Sequence, residues 1–381
     1  MKISFPHMGN LAIGVSGALK VLGADVVEPP YTNKRTLSLG AKYSPEAICL
    51  PYKLVLGNYI EAIEAGAEAI LMIDSPGTCR LGQYSNIART ALTDLGYNNV
   101  EFVNFDLYKG KLLEIYSGFK HVTGNGNPLD LIYAVRIGIL RIKIADKFDK
   151  LLQYYRAREV EIGSADKRYN KAMSLLSTAL TVKECNDVLE FGTESISGVE
   201  IDSAKQVLHV DITGEIYVVL DKFSNMYIEK ELGRLGAQVH RQINLSDWID
   251  RSLYPSILRF SESHDEKTRR FAREFIKRDI GGDAVESIGD AAIAASSEIT
   301  DGIIHLLPFT CMPEIIAQNI LPNVRNEKDV PVLSLVMDEY TGRAGFVTRL
   351  EAFVDLINRR SRLPRRCSTA PRNDSCGILS V

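Results

Sequence analysis

Ala69-Ile70-Leu71-Met72-Ile73 is a continuous apolar run, and it leads into Asp74-Ser75-Pro76-Gly77-Thr78-Cys79-Arg80. A short run with no polar alternation is the mark of a strand buried on both faces of a parallel sheet. Helical spacing brackets it. Tyr52 to Ala65 carries apolar residues at helical intervals and stops at Gly66, and Gln83 to Leu95 repeats the pattern and stops at Gly96. Upstream, Lys2 to Phe5 reads as a strand, Gly9 to Leu22 as a helix closed by Gly23, and Asp25 to Val27 as a short strand before Pro29-Pro30. Downstream, Val100 to Phe105 reads as a further strand. This alternation predicts an α/β domain over 1–122, ended by Thr123-Gly124-Asn125-Gly126-Asn127-Pro128.

From 123 to 205 the pattern is helical, with long stretches at Leu129 to Tyr155 and Asp166 to Leu180. Strand-like runs return at Gln206 to Asp211 and at Ile216-Tyr217-Val218-Val219-Leu220, followed by a helix around Asn225 to Leu235. Gly302 to Leu307 and Val330 to Val336 read as later strands, with a helix from Glu314 to Asn319 between them. A second α/β domain is therefore expected over 206–357. The remainder, 358–381, is Arg-rich and then Ser-, Pro- and Gly-rich, and reads as a flexible tail carrying Cys367 and Cys376.

A chain of 381 residues accommodates two such domains and a helical insert. Hydrophobic residues at 45% and charged residues at 24% are ordinary for a globular protein, and a net charge of -3 gives no long-range pull toward nucleic acid or anionic lipid. No apolar run reaches the roughly 20 residues of a membrane helix. The start, Met1 to His7, reads into a strand rather than a signal peptide, so the expected location is the cytoplasm. Six cysteines, irregularly spaced, do not make a disulfide framework.

Three of them share a setting. Cys49 in Ser44-Pro45-Glu46-Ala47-Ile48-Cys49-Leu50-Pro51, Cys79 after the apolar run above, and Cys311 in Leu307-Pro308-Phe309-Thr310-Cys311-Met312-Pro313-Glu314 each fall where a strand is expected to hand over to a helix. There, free backbone N–H groups and the helix dipole are expected to lower a thiol pKa. Three thiolates match iron and leave one position of a four-iron cluster open. Their spacing fits no compact ferredoxin or zinc-finger pattern. The competing reading of each is a small buried apolar residue.

Phe5-Pro6-His7-Met8-Gly9-Asn10, Leu39 to Glu46, Cys49-Leu50-Pro51-Tyr52-Lys53, Pro308 to Glu314 and Asp338-Glu339-Tyr340-Thr341-Gly342-Arg343-Ala344-Gly345 carry a resemblance. From Met1 to about Leu356 the chain resembles the 2-hydroxyacyl-CoA dehydratase component superfamily, in its branch labelled CoA-substrate-specific activase-related or CoA protein activase. The resemblance implies two Rossmann-like, doubly wound α/β domains with parallel sheets, joined by a helical segment. It also implies a [4Fe-4S] cluster held in the cleft by Cys49, Cys79 and Cys311. In the dehydratases a partner ATPase with its own iron–sulfur cluster delivers a low-potential electron, which makes a substrate ketyl radical. An enzyme of this kind would be a dehydratase-like lyase or an ATP-coupled reductase, with a homodimer or a related subunit as its assembly and an anaerobic setting. No Walker-type phosphate loop occurs in this chain, so ATP would be used by the partner.

Further candidates follow from position. His7 is a candidate proton donor, with a satisfied turn histidine as the competing reading. Lys53 and Arg80 are candidates for tuning a cluster or binding an anionic group. Glu339 and Asp338 are carboxylates at a strand end, where Asp338 or Thr341 as a helix cap is the bland alternative. Glu215, with Ser224 and Asn225, is a candidate for the cleft, and Cys185 reads as a core thiol. Two other functions compete with the dehydratase-like one. The first is an electron-transfer or reductase protein acting on a small substrate at the cluster, for which a fused double cubane would require all six cysteines. The second is a cluster-free binding or scaffold protein.

Overall fold

The computed structural model describes residues 1–74, 79–106, 112–246, 249, 264–278 and 280–361. Cys367, Cys376 and the Ser75 to Thr78 turn lie outside the described residues. The architecture is α/β, with two four-stranded, all-parallel sheets. The first takes the order β2-β1-β3-β4 from β1 (Lys2–Ser4), β2 (Asp25–Val26), β3 (Ala69–Asp74) and β4 (Glu101–Asp106). The second repeats the winding as β6-β5-β7-β8, from β5 (Leu208–Gly214), β6 (Ala237–Arg241), β7 (Gly302–Pro308) and β8 (Val332–Met337). Register pairs Ile3 with Ala69 and Ile70 with Phe102 in one sheet, and Ile212 with Ile304 and Ile304 with Leu333 in the other. In each sheet the strand order reverses beside the first strand, at β1/β3 and at β5/β7. Such switch points leave a crevice at the carboxyl edge.

Ala69 to Met72 of the apolar run that predicts β3 are buried as expected, with Ala69 and Ile70 fully covered. Helices α1 (Leu11–Val21), α2 (Lys34–Tyr43), α3 (Leu50–Glu64), α4 (Tyr84–Asp94) and α5 (Leu112–Thr123) accompany the first sheet. Every residue of α3 from Leu50 to Ala62 is buried, the pattern of a helix enclosed on all sides rather than one facing water. Two glycines make room for it. A Cβ on Gly40 would meet the Lys53 carbonyl oxygen at 1.5 Å, and one on Gly57 would meet that of Thr36 at 1.9 Å, so α2 and α3 cross backbone to backbone. The core around α3 continues into the second sheet through Val210, Ile212, Ile304 and Leu335.

Between the sheets run α6 (Pro128–Arg158), α7 (Ser164–Thr178) and α8 (Val182–Ser197). Asn127 caps α6 by accepting the Leu129 N–H at 3.1 Å, and Thr181 with Glu184 forms a capping box on α8. The long α6 touches α1 of the first lobe, α7 and α8, and β6 of the second, so one helix braces both lobes.

The second sheet carries α9 (Ile216–Leu220), α10 (Ile228–Arg234), α11 (His264–Ala272), α12 (Ala284–Ala295), α13 (Met312–Lys328) and α14 (Arg343–Ser361). Here three expectations are corrected. Ile216 to Leu220, read as a strand from its β-branched run, is a buried helical turn, because Glu215 caps it by accepting the N–H groups of Tyr217 and Val218. The second strand of this sheet is instead Ala237–Arg241. Residues 358–361, expected in a flexible tail, are helical, since α14 continues to Ser361 with Phe353, Val354 and Ile357 buried. Among the described residues, no helix is long and apolar enough to cross a membrane.

Candidate functional site

Cys79 precedes a short 3-10 turn (Arg80–Gln83) after β3 and Cys311 precedes α13 after β7, whereas Cys49 precedes α3 after α2 and a turn rather than after the expected strand. Each occupies the N-cap position. The two long helices begin alike, as Cys49-Leu50-Pro51 and Cys311-Met312-Pro313, with proline in the first turn where its missing N–H has no partner to lose. Thr310 adopts a left-handed backbone (φ 66°) to turn the chain from β7 into this cap. Gly214 (φ 141°) does the same after β5. A Cβ there would meet the Leu306 carbonyl oxygen at 1.9 Å, so only glycine lets Glu215 follow so tightly.

These turns enclose one cavity of about 50 Å³ between the lobes, lined by Cys49, Cys79, Cys311, Arg80, Tyr84 and Glu215 among others. The Cys49 Sγ lies 2.9 Å from the Tyr84 hydroxyl. Arg80 ties the three turns together, donating to the Ala47 carbonyl at 3.2 Å and to the Thr310 carbonyl across the interface. That interface placement gives Arg80 a positioning role and commits its guanidinium to protein carbonyls.

Burial raises the pKa of all three thiols. For Cys49 the Tyr84 hydroxyl and Arg80 oppose it. Cys79 is pushed up to about 11 by burial, against the N–H of Leu81 and with the Glu215 charge adding to the rise. Cys311 is raised furthest, by burial and then by Glu215, against the N–H of Glu314. The expected lowering at the helix starts is thus present as a pull from Tyr52, Leu81 and Glu314 N–H groups, but desolvation is larger. Glu215 is itself pushed up to about 8 by burial and by neighbouring Asp283, against the N–H groups of Val218 and Tyr217.

Outside the cavity, two expected residues meet each other. Lys53, 3% exposed, forms an ion pair with Glu339 of the second lobe and donates to the Glu46 carbonyl at 3.1 Å. His7 lies beside the lining residue Met8, but its ring faces Tyr31 and its Nδ1 stands 3.6 Å from Asp221. Asp338 accepts from the Tyr340 N–H and the Thr341 hydroxyl in the turn before α14. Ser224 and Asn225 donate to backbone carbonyls at the end of α9, so of that trio Glu215 reaches the cavity. Cys185 is buried in the helical core, as expected. Tyr84 went unpredicted; nothing in its local sequence distinguishes it from any other helix-start tyrosine.

Among the described residues, no three His, Cys, Asp or Glu side chains converge closely enough to hold a single metal ion. An iron–sulfur cluster asks for a different arrangement, with thiolates on separate corners around a shared core. Three soft donors, each at a helix start with N–H groups directed toward sulfur, and all on one cavity wall, fit that group. The chain matches no family model and no curated protein. Kinship to the dehydratase components is therefore not carried by these comparisons.

Proposed function

We propose that the chain is an iron–sulfur protein that holds a [4Fe-4S] cluster through Cys49, Cys79 and Cys311, and that it works as a component resembling those of 2-hydroxyacyl-CoA dehydratases. The observation that supports this reading is the meeting of three cysteine caps, two from one lobe and one from the other, on a single cavity at the carboxyl edges of two parallel sheets. When bound, such a cluster passes single electrons and acts as a Lewis acid at an iron not held by cysteine. The chain's own groups would position it: helix-start N–H groups toward the sulfurs, and Arg80 clasping the three turns. On this reading electrons come from an ATP-dependent activator protein that carries its own cluster.

One observation favours a second reading, electron transfer or reduction of a small substrate at the cluster. A cavity of about 50 Å³ is far smaller than the roughly 300–1,000 Å³ of sites that enclose larger ligands, so an acyl-CoA would need the lobes to part.

Iron and acid-labile sulfide content, with the visible spectrum, should be measured on protein purified without oxygen, beside Cys49→Ala and Cys311→Ala. About four irons per chain are expected in the parent and fewer in both variants. Colourless parent protein after reconstitution would sink the cluster and leave a binding role. Reduction of the loaded protein, followed by addition of an acyl-CoA or a small oxidant, separates the two cluster readings.

A further inference from the structure

Three thiolates leave one iron of a four-iron cluster without a protein sulfur, and the cavity offers a specific candidate for it. Of the polar side chains on its wall, Arg80 is a cation committed to carbonyls, and the Tyr84 hydroxyl is paired with the Cys49 sulfur. The Tyr217 hydroxyl turns away to the His7 carbonyl at 2.9 Å. Glu215 is different. Its carboxylate lines the same wall and is a shared electrostatic neighbour of Cys49, Cys79 and Cys311.

Its placement is built rather than incidental. Gly214 can take its positive-φ backbone only without a Cβ, which lets the Glu215 N–H donate to the Leu306 carbonyl of β7 at 3.0 Å. The N–H of Tyr217 meets Oε1 at 3.1 Å and that of Val218 meets Oε2 at 3.0 Å, so the headgroup is fixed. Each oxygen accepts one such bond and retains acceptor capacity. Asp283, whose Oδ2 accepts the Ile216 N–H at 3.1 Å, adds a second carboxylate nearby. Three thiols and the Glu215 carboxyl thus line one cavity with a single arginine, a set of donors that a cationic core would draw into their deprotonated forms.

We propose that Glu215 is the fourth protein ligand of the cluster, binding through a carboxylate oxygen the iron that Cys49, Cys79 and Cys311 leave free. This rests on the cluster reading above. A carboxylate is a harder and more labile ligand for iron than a thiolate, and the two N–H groups of α9 can hold Glu215 when it is not on the metal. The non-cysteine iron is then closed by the protein at rest rather than open to water, and a small ligand must compete with Glu215 to reach it.

The test compares anaerobically reconstituted parent, Glu215→Gln and Glu215→Cys by iron content, by the electron paramagnetic resonance of the oxidised and reduced protein, and by the rate at which a chelator removes the first iron. Gln keeps an acceptor for the α9 N–H groups but is a poor iron ligand, whereas Cys restores a ligand and weakens the cap. Glu215→Gln should lose its first iron about 10-fold faster or more and accumulate a three-iron signal. Glu215→Cys should retain about four irons with an altered reduced-state spectrum. Unchanged spectra and chelation rates in Glu215→Gln would overturn the assignment while leaving the three-cysteine cluster intact. Iron lost from both variants together with a fall in melting temperature would overturn it in favour of a purely structural cap. A parent protein that takes up no iron would remove the cluster, and Glu215's part in it, together.

Discussion

Asp149 shows how much a single buried charge contributes here. It lies on α6 and accepts from Asn10 of the first lobe at 2.8 Å, from Tyr169 of α7 at 2.7 Å and from Arg241 of β6 at 2.9 Å. Burial alone would raise its pKa, but Lys222, Arg241 and the Tyr169 hydroxyl override it and hold the carboxyl at about 2. With the folded value below the unfolded one of about 3.9, its contribution is complete above roughly pH 4 and is lost as the pH falls toward 2. Asp149→Asn should therefore cost about 2–3 kcal/mol at pH 7, because buried Arg241 keeps Glu229 but loses its second carboxylate partner. Urea unfolding of both proteins at pH 7 and pH 3 tests it. The gap should narrow in acid, and an equal gap at both values would show that the charge is not what Asp149 supplies.

Among the elements, α3 governs the cavity. Its start is Cys49, its first turn holds Lys53, and its crossing with α2 is set by Gly40 and Gly57. Gly40→Ala would drive a methyl into the Lys53 carbonyl, so α3 must shift away from α2 and carry Cys49 with it. A loss of about 1–3 kcal/mol is expected from such overpacking, accompanied by lower iron uptake on reconstitution. Gly345→Ala, within α14, is the control for a glycine inside a helix, since a Cβ there meets nothing within 4 Å. If Gly40→Ala behaves like that control in both readouts, the close crossing is not what places the cysteine.

Across the molecule, the two lobes are joined by a core that runs through α3, by the brace of α6, and by side-chain pairs that cross the interface. Lys53 with Glu339 is one such pair, with Lys53 almost wholly buried. Removing one partner strands the other, while removing both with apolar residues of similar size need not. Lys53→Met should cost about 3–5 kcal/mol, and Lys53→Met combined with Glu339→Leu should recover a large part of it. A double-mutant cycle by chemical denaturation measures this coupling. Additive single effects would show that the pair does not couple the lobes.

The parallel α/β class, the strand of Ala69 to Ile73 and the helical middle segment were legible in the sequence, because a buried parallel strand must be apolar throughout and a helix must repeat its apolar face. The caps at Cys49 and Cys311 were legible from the proline in the first turn, which marks a helix start, and Cys79 was legible from its place just past the apolar run of β3. Other features depended on partners distant in the chain. Ile216 to Leu220 has strand-like residues but coils because the Glu215 cap and the enclosing core favour a turn of helix. Lys53 and Glu339 carry the right chemistry for a site, yet their long separation in sequence hides that they neutralise each other. His7 is turned to Tyr31 rather than into the cavity. Local pattern specifies where a helix or strand begins, since backbone hydrogen bonding and side-chain period are short-range. Only the packing of the two lobes decides which of those ends face one another, and with them which charges are buried, which are paired, and that Glu215 shares a wall with three thiols.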